Sequence, residues 1–239
     1  MRNDNKMKLE ILYEDDHMIA CVKPPGVPSQ SDKSNDEDMV TLVKNYIFEN
    51  SDSNNEPYLS LLHRLDRPVG GVMVFAKTKE AAAKLSNQVT DGTMIKYYQA
   101  VLTGELPDDY GELLDYMVKD PKTNMSRICK KGTEGAKEAR LTYELLDEFE
   151  TDEGIISYVL IELKTGRHHQ IRVQMANIGC GIWGDIKYNP KFKRSKNKIK
   201  QIALFSSRVE LVHPVTGERM VFKKEPYGKA FDVIEMDEF

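Results

Sequence analysis

The chain has 239 residues, 40% of them hydrophobic and 30% charged, the balance of a soluble globular protein rather than a disordered or fibrous one. Its 34 Lys and Arg against 38 Asp and Glu leave a formal charge of −4, which argues against holding polyanions by bulk charge but leaves room for a local basic groove. No apolar run approaches the ~20 residues that cross a bilayer, no secretory signal is visible, and Cys21, Cys129 and Cys180 are too scattered for a disulfide framework or a cysteine-rich zinc site. The expectation is a cytoplasmic, reduced protein without a membrane anchor.

Alternating apolar residues Leu9, Ile11 and Tyr13 predict a first strand, and Met18 to Val22 a second, ended by Lys23-Pro-Pro-Gly26 because proline cannot donate to a ladder. Ser29 to Asp38 reads as a polar loop. Met39, Leu42, Val43, Tyr46 and Ile47 then recur at helical spacing. Val72 to Ala76 is an apolar run of strand length after Gly70-Gly71, and Thr78 is placed to cap a helix running through Val89. Strands follow at Ile95–Leu102 and Ile155–Leu163, a helix at Gly166–Ile178, and late strands between Ile202 and Val212 before a turn at His213-Pro-Val-Thr-Gly217. Strands outnumber helices and do not alternate with them strictly. The expected class is α+β: a single domain over residues 1–239 built on a large mixed sheet.

Charge is segregated. Residues 187–200 contain Lys187, Lys191, Lys193, Arg194, Lys196, Lys198 and Lys200 and no acid, and 119–131 is also basic, whereas acids gather at 105–115, 144–153 and 232–238. Such separation suits a protein with one face for phosphates, although lysine-rich loops are commonly just solvated.

Three segments carry the polar chemistry. In His63-Arg64-Leu65-Asp66-Arg67, an acid between two arginines has neighbours that favour a carboxylate, and Gly70-Gly71 permits a tight turn or the close approach of a ligand. In Ile95 to Gly104, strand alternation sends Tyr97 and Tyr98 to opposite faces, so that one can enter a cleft while the other packs. In Thr165-Gly-Arg-His-His-Gln-Ile-Arg172, a helix starting at Thr165 or Gly166 would leave Arg167, His168 and His169 near its positive end, with Arg172 a turn further on. Adjacent histidines there would point about 100° apart and have no third ligand spaced to help, so zinc is not expected. No phosphate loop, dinucleotide fingerprint or serine elbow occurs.

Taken together and in this order, the three segments resemble the RluA family of RNA pseudouridine synthases: His63-Arg-Leu-Asp66 before Gly71 and an apolar strand, Lys96-x-Tyr98-x-Ala100, and Thr165-Gly-Arg-x-His-Gln-Ile-Arg172 followed by Gly184-Asp185. Tyr13-Glu-Asp-Asp with Lys23-Pro-Pro-Gly26, and His213-Pro-Val-Thr-Gly217, fit as well. The resemblance implies a pseudouridine-synthase-like domain with a mainly antiparallel sheet, flanked by helices and crossed by a catalytic cleft. It also implies an isomerase acting on uridine in structured rRNA or tRNA. Asp66 falls on the family's catalytic aspartate, Tyr98 on the tyrosine lying against the target base, and Arg172 on the arginine paired with the aspartate. Arg64 matches a residue that fills the space of a flipped nucleotide. His63, Arg67, Arg167, His169, Gln170, Lys191, Lys193 and Arg194 are expected, with Arg64, to contact RNA. Reactant and product are isomers, so no redox cofactor, nucleotide cofactor or metal is called for.

Two features depart from the family pattern: Val69-Gly70 stands where Thr-Ser is frequent, and His168 where Thr is frequent. Both border the expected cleft. The separate N-terminal RNA-binding domain common in the family is not expected here, and a monomer is the default. Two rival readings are a non-catalytic RNA-binding or RNA-folding module on the same fold, and an unrelated hydrolase using Asp66 with His63 or His169.

Overall fold

The computed structural model describes residues 8–32, 34, 36–52, 54–152, 154–193 and 201–234. The basic residues Arg194, Lys196, Lys198 and Lys200 lie outside the described residues.

Strands β1 (Glu10–Glu14) and β2 (Met18–Lys23) form an antiparallel hairpin, its turn closed by Asp15 Oδ1 accepting the amides of His17 and Met18, each at 2.8 Å. Helix α1 (Met39–Glu49) starts on Asp38, whose carboxylate accepts from Val40 and Thr41. A short β3 (Ser60–Leu61) and β4 (Gly70–Ala76) follow, then α2 (Lys79–Asp91), capped by Thr78 Oγ1 and stopped by Gly92 in the left-handed conformation. The chain continues through β5 (Ile95–Thr103), β6 (Tyr110–Asp120), β7 (Met125–Cys129), β8 (Lys137–Thr151), β9 (Gly154–Leu163), α3 (Gln170–Asn177), β10 (Leu204–Val212) and β11 (Arg219–Lys223).

Among the described residues, eleven strands join one mixed sheet in the order β1-β2-β4-β10-β5-β9-β8-β6-β7, with β3 also on β4 and β11 on β10. Their pairings are antiparallel except β4 with β10, where Gly70 lies beside Phe205 and Gly71 beside Ser206. The unbroken apolar character of β2 and β4 follows from burial on both faces. Ile19, Cys21, Met73 and Phe75 enter one core with Met39, Leu42 and Val43 of α1 and Ile171 and Met175 of α3. Met18, Ala20, Val72 and Val74 enter a second core against Ala81, Ala82 and Leu85 of α2. The helices thus divide between the two faces, and the site develops on the face of α1 and α3.

The α+β class and the mixed, mainly antiparallel sheet agree with expectation, while several boundaries and one local reading differ. Gly70 and Gly71 lie inside β4 rather than before it. The close approach they permit is to the neighbouring strand: a Cβ on Gly71, at φ +126°, would meet backbone atoms of Ser206 at 2.4–2.7 Å. Helix α3 begins at Gln170, not near Gly166, because His169 adopts φ 56° and interrupts the helical path.

Candidate active site

Asp66 lies on the loop between β3 and β4, and that loop is fastened from behind by the segment following β2. The buried Ser29 hydroxyl donates to the Leu65 carbonyl at 2.7 Å and accepts the Leu65 amide at 3.0 Å. The Gly26 amide donates to the Arg67 carbonyl at 2.7 Å, and Lys23 Nζ donates to the same carbonyl at 3.2 Å and to that of Pro24 at 3.1 Å. Lys23 has no exposed surface, and burial brings its pKa down to about 7 against the opposing charge of Asp66. On the far side, the Ile202 amide donates to the Pro68 carbonyl at 3.2 Å. Lys23-Pro-Pro-Gly26 is therefore more than a strand end; it is the bracket for the Asp66 loop.

The two arginines adjacent in sequence do not supply the charge partner of Asp66. Arg64 is exposed, and Arg67 turns outward to the Gly26 carbonyl (3.0 Å), Ser34, Asp36 and Asp32. The partner comes from α3: Arg172 Nη1 donates to Asp66 Oδ2 at 2.9 Å. Arg172 is itself gripped by Asp185, through Nε to Oδ2 at 2.7 Å and Nη2 to Oδ1 at 2.8 Å. This two-point contact fixes the guanidinium plane, which a lysine could not do. Burial works against the charge on Arg172, but hydrogen bonding and attraction from Asp185, reinforced by Asp66, more than reverse it and the group stays cationic. Asp185 Oδ1 also accepts the Lys187 amide at 2.9 Å, so the same carboxylate shapes the loop after it.

Tyr98 on β5 sits between Ser206 of β10 and Ile161 of β9, in the core that also holds Ile171 and Met175 of α3. Burial, followed by the charge of Asp66, raises its pKa above the ordinary 10. At neutral pH it is a phenol beside Asp66, not a phenolate. Tyr97 faces the other way, its ring 3.7 Å from the Arg208 guanidinium.

His169 and His168 precede α3 and, being off the helix, stack their rings with centroids 3.7 Å apart rather than diverging by a helical step. His169 Nε2 lies 3.6 Å from Asp66 Oδ2, and its Nδ1 is 2.7 Å from the Tyr188 hydroxyl. Burial, then the nearby Arg172, pushes its pKa down to about 2, so it is neutral. His168 Nδ1 is 2.9 Å from the Ser126 hydroxyl. Tyr188 also lies under Arg172, 5.2 Å from ring centroid to guanidinium carbon.

The remaining expected contacts divide. Lys191 and Lys193 are exposed beyond the Asp185 loop, Lys191 over the Trp183 ring at 5.3 Å, and Arg167 is half-buried with Nε donating to the Glu138 carbonyl at 2.7 Å. Arg194 lies outside the described residues. Two expected RNA contacts turn inward instead. Gln170 is buried, its Oε1 accepting from Thr165 Oγ1 and the Arg167 amide and its Nε2 donating to the Arg140 carbonyl. His63 accepts the Val74 amide on Nε2 at 3.2 Å, its Nδ1 is buried, and burial pushes its pKa down to about 3. Both brace backbone. Asp185, Tyr188, Ser126 and Lys23 complete the site without having been singled out; of these, only Asp185 and Lys23 lie in segments that carry the family resemblance.

A family model described as RNA pseudouridylate synthase matches residues 17–177, which contain Asp66, Tyr98 and Arg172. The chain belongs to this family. As an RNA pseudouridine synthase it is an isomerase that converts uridine to pseudouridine in RNA. Ribosomal large subunit pseudouridine synthase D of Pseudomonas aeruginosa is 30% identical over 224 residues, covering 90% of this chain and 67% of the relative. tRNA pseudouridine synthase C of Vibrio parahaemolyticus is 30% identical over 250 residues, covering 97% of each. The fold recurs in the solved structure of human RNA Pseudouridylate Synthase Domain Containing 4, with a TM-score of 0.73 at 21% identity over 90% of this chain and 88% of that one. Among the described residues of this synthase, no helix is long and apolar enough to cross a membrane.

Proposed function

We propose that Asp66 is the reacting carboxylate of this synthase and that the substrate is a uridine in structured ribosomal or transfer RNA. The observation that carries the reading is the chain Asp66–Arg172–Asp185, a one-quarter-exposed carboxylate held at 2.9 Å by an arginine that is 4% exposed and locked from the other side. Such an acid is aimed by a fixed cation and open to substrate on one side.

Isomerisation breaks the bond between N1 and the ribose C1′, turns the base, forms the C5–C1′ bond, and transfers the C5 proton away while N1 gains one. Attack on the ribose, attack on the base and elimination across the ribose all require a carboxylate that can engage and then depart. Arg172 and His169 both approach Oδ2, so Oδ1 is the oxygen left for the substrate. Tyr98, neutral and rigidly packed, offers a ring face to a base taken out of its stack, a step costing ~ a few kcal/mol. Exposed Arg64, Lys191 and Lys193 supply phosphate contacts.

The test is to incubate the protein with unmodified ribosomal and transfer RNA, digest to nucleosides, and look for a species of uridine's mass that elutes as pseudouridine. Conversion by wild type but not by Asp66→Asn supports the reading. RNA binding without conversion by wild type would favour the non-catalytic RNA module.

A further inference from the structure

The histidine beside Asp66 sits in an arrangement that dictates where its proton lies. His169 is in the left-handed region at φ 56°, a costly conformation for a residue with a side chain, and it occupies the N-cap position of α3 without capping it. Its ring is committed to other partners. Nδ1 meets the Tyr188 hydroxyl at 2.7 Å, and that same hydroxyl oxygen accepts the Ser126 amide at 2.8 Å. Ser126 also bonds His168 through its hydroxyl, and the His168 ring stacks on His169, so one residue of β7 fixes the position of both rings.

A phenol has one proton to give. The Tyr188 proton has no acceptor other than His169 Nδ1 among the described residues. Were Nδ1 protonated instead, the phenol oxygen would have to accept both Nδ1–H and the Ser126 amide, and its own proton would have only solvent to go to. In addition, the bare lone pair of Nε2 would face Asp66 Oδ2, itself an acceptor, at 3.6 Å. Tyr188 donating to Nδ1 removes both conflicts and places the imidazole proton on Nε2, directed at Asp66.

We propose that His169 is a positioning residue for Asp66, presented by Tyr188 and Ser126 as the neutral Nε2–H tautomer, and that it donates to Oδ2 as substrate enters so that Oδ1 remains the reacting oxygen. The inference rests on Asp66 being the reacting carboxylate and deepens that reading. At 3.6 Å the contact is long, as hydrogen bonds of substrate-free sites commonly are before they tighten. Arg172 and His169 then hold the same oxygen from two directions, and rotation of the carboxylate about its Cβ–Cγ bond is blocked.

The test begins with the wild type. In protein labelled with nitrogen-15 at histidine, the nitrogen shifts distinguish the Nε2–H from the Nδ1–H form, and the resonances that vanish in His169→Asn identify His169. The expected result is Nε2–H at pH 7. In Tyr188→Phe, which keeps the ring under Arg172 but removes the phenol proton, His169 should become a mixture of tautomers. The single-turnover rate should then fall in proportion to the lost Nε2–H population, about twofold for an even mixture, and by about 10-fold to 100-fold in His169→Asn, which loses the hydrogen bond to the charged group altogether, with RNA affinity unchanged in both. An Nδ1–H wild type, or a Tyr188→Phe variant with shifted tautomer and unchanged rate, overturns the proposal. Turnover by Asp66→Asn would overturn the parent reading and this one with it, whereas an inactive Asp66→Asn beside an Nδ1–H wild type overturns this one alone.

Discussion

Asp185 is the hidden member of the site, and replacing it by asparagine tests whether Arg172 is held from behind. The change is nearly isosteric. In Asp185→Asn the new side chain could keep a carbonyl toward Nη2 of Arg172 and the Lys187 amide, but its NH2 would then oppose the Nε–H of Arg172 where Asp185 Oδ2 now accepts at 2.7 Å. The guanidinium is 4% exposed and the Asp185 side chain 1%. Removing one partner of a buried pair costs about 3–5 kcal/mol, and the low end applies here because Arg172 retains Asp66 and one acceptor of the new side chain. A loss of about 3 kcal/mol is a large share of a typical stability of roughly 5–15 kcal/mol. At roughly 2–4 °C per kcal/mol for a chain of this size, it lowers Tm by roughly 6–12 °C. Differential scanning calorimetry reads the shift, and single-turnover pseudouridine formation at a temperature where the variant is folded reads the aim of Arg172, with kcat falling more than RNA affinity. A Tm within about 2 °C of wild type together with turnover within about twofold would refute the clamp.

Two further outcomes follow from burial and from backbone geometry. His63 and His169 have folded pKa values of about 3 and about 2, below the ~6.5 of an exposed imidazole. As pH falls through ~6.5 the unfolded chain takes up protons that the folded chain refuses, so the stability these residues allow is present above that pH and lost below it. Each contributes up to about 1.4 kcal/mol per pH unit, or about 2.7 for the two together, a limit reached below about pH 5.5, and roughly a quarter of that at pH 7 where the unfolded imidazole is mostly neutral. Urea midpoints between pH 7 and 5 measure the slope, and His63→Gln, whose carbonyl can still accept the Val74 amide, should reduce it by about half; a flat profile contradicts the burial of both. Gly71→Ala forces a Cβ to within 2.4–2.7 Å of the Ser206 backbone at φ +126°. Strain of about 1–3 kcal/mol and overpacking of similar size should lower the urea midpoint and weaken turnover together, because β4 and β10 both begin beside the Asp66 loop. An unchanged midpoint would show that the two strands separate freely.

The elements legible in the sequence are those whose pattern is set locally or by burial on both faces. Thr78 is readable as the cap of α2, and Val72 to Ala76 as a strand, because a short apolar run between two covered faces has little else to be. Strands β6, β7 and β8 are absent from the elements expected above, and they lie at one end of the sheet, where exposed residues alternate with buried ones. In β8 the buried Ala139, Leu141 and Tyr143 alternate with Glu138, Arg140 and Glu144, the two-residue period of a half-buried strand, so that strand is open to reading from the sequence by the same pattern that marks β1. The start of α3 differs from expectation because nothing local announces that His169 will take a left-handed conformation. At the site, motif order points to Asp66, Tyr98 and Arg172, and the structure brings them together. Arg64 and Arg67 do not supply the charge partner of Asp66, since adjacency in sequence does not fix side-chain direction; the pairing with Arg172, 106 residues away, is legible only through the family resemblance. Tyr188 and Ser126 cannot be found from spacing at all, because their tie to His169 exists only once β7 and the loop after Asp185 meet.

If Asp66 performs the isomerisation, loss of the C5 proton reports it directly. RNA transcribed with uridine tritiated at carbon 5 releases tritium to water only when C5 becomes the glycosidic carbon, so release should be compared for wild type and Asp66→Asn at RNA concentrations that saturate binding of both. Wild type is expected to release tritium, and Asp66→Asn to release none above background while RNA remains bound. Equal release by the two proteins would contradict that role and remove Asp66 from the chemistry.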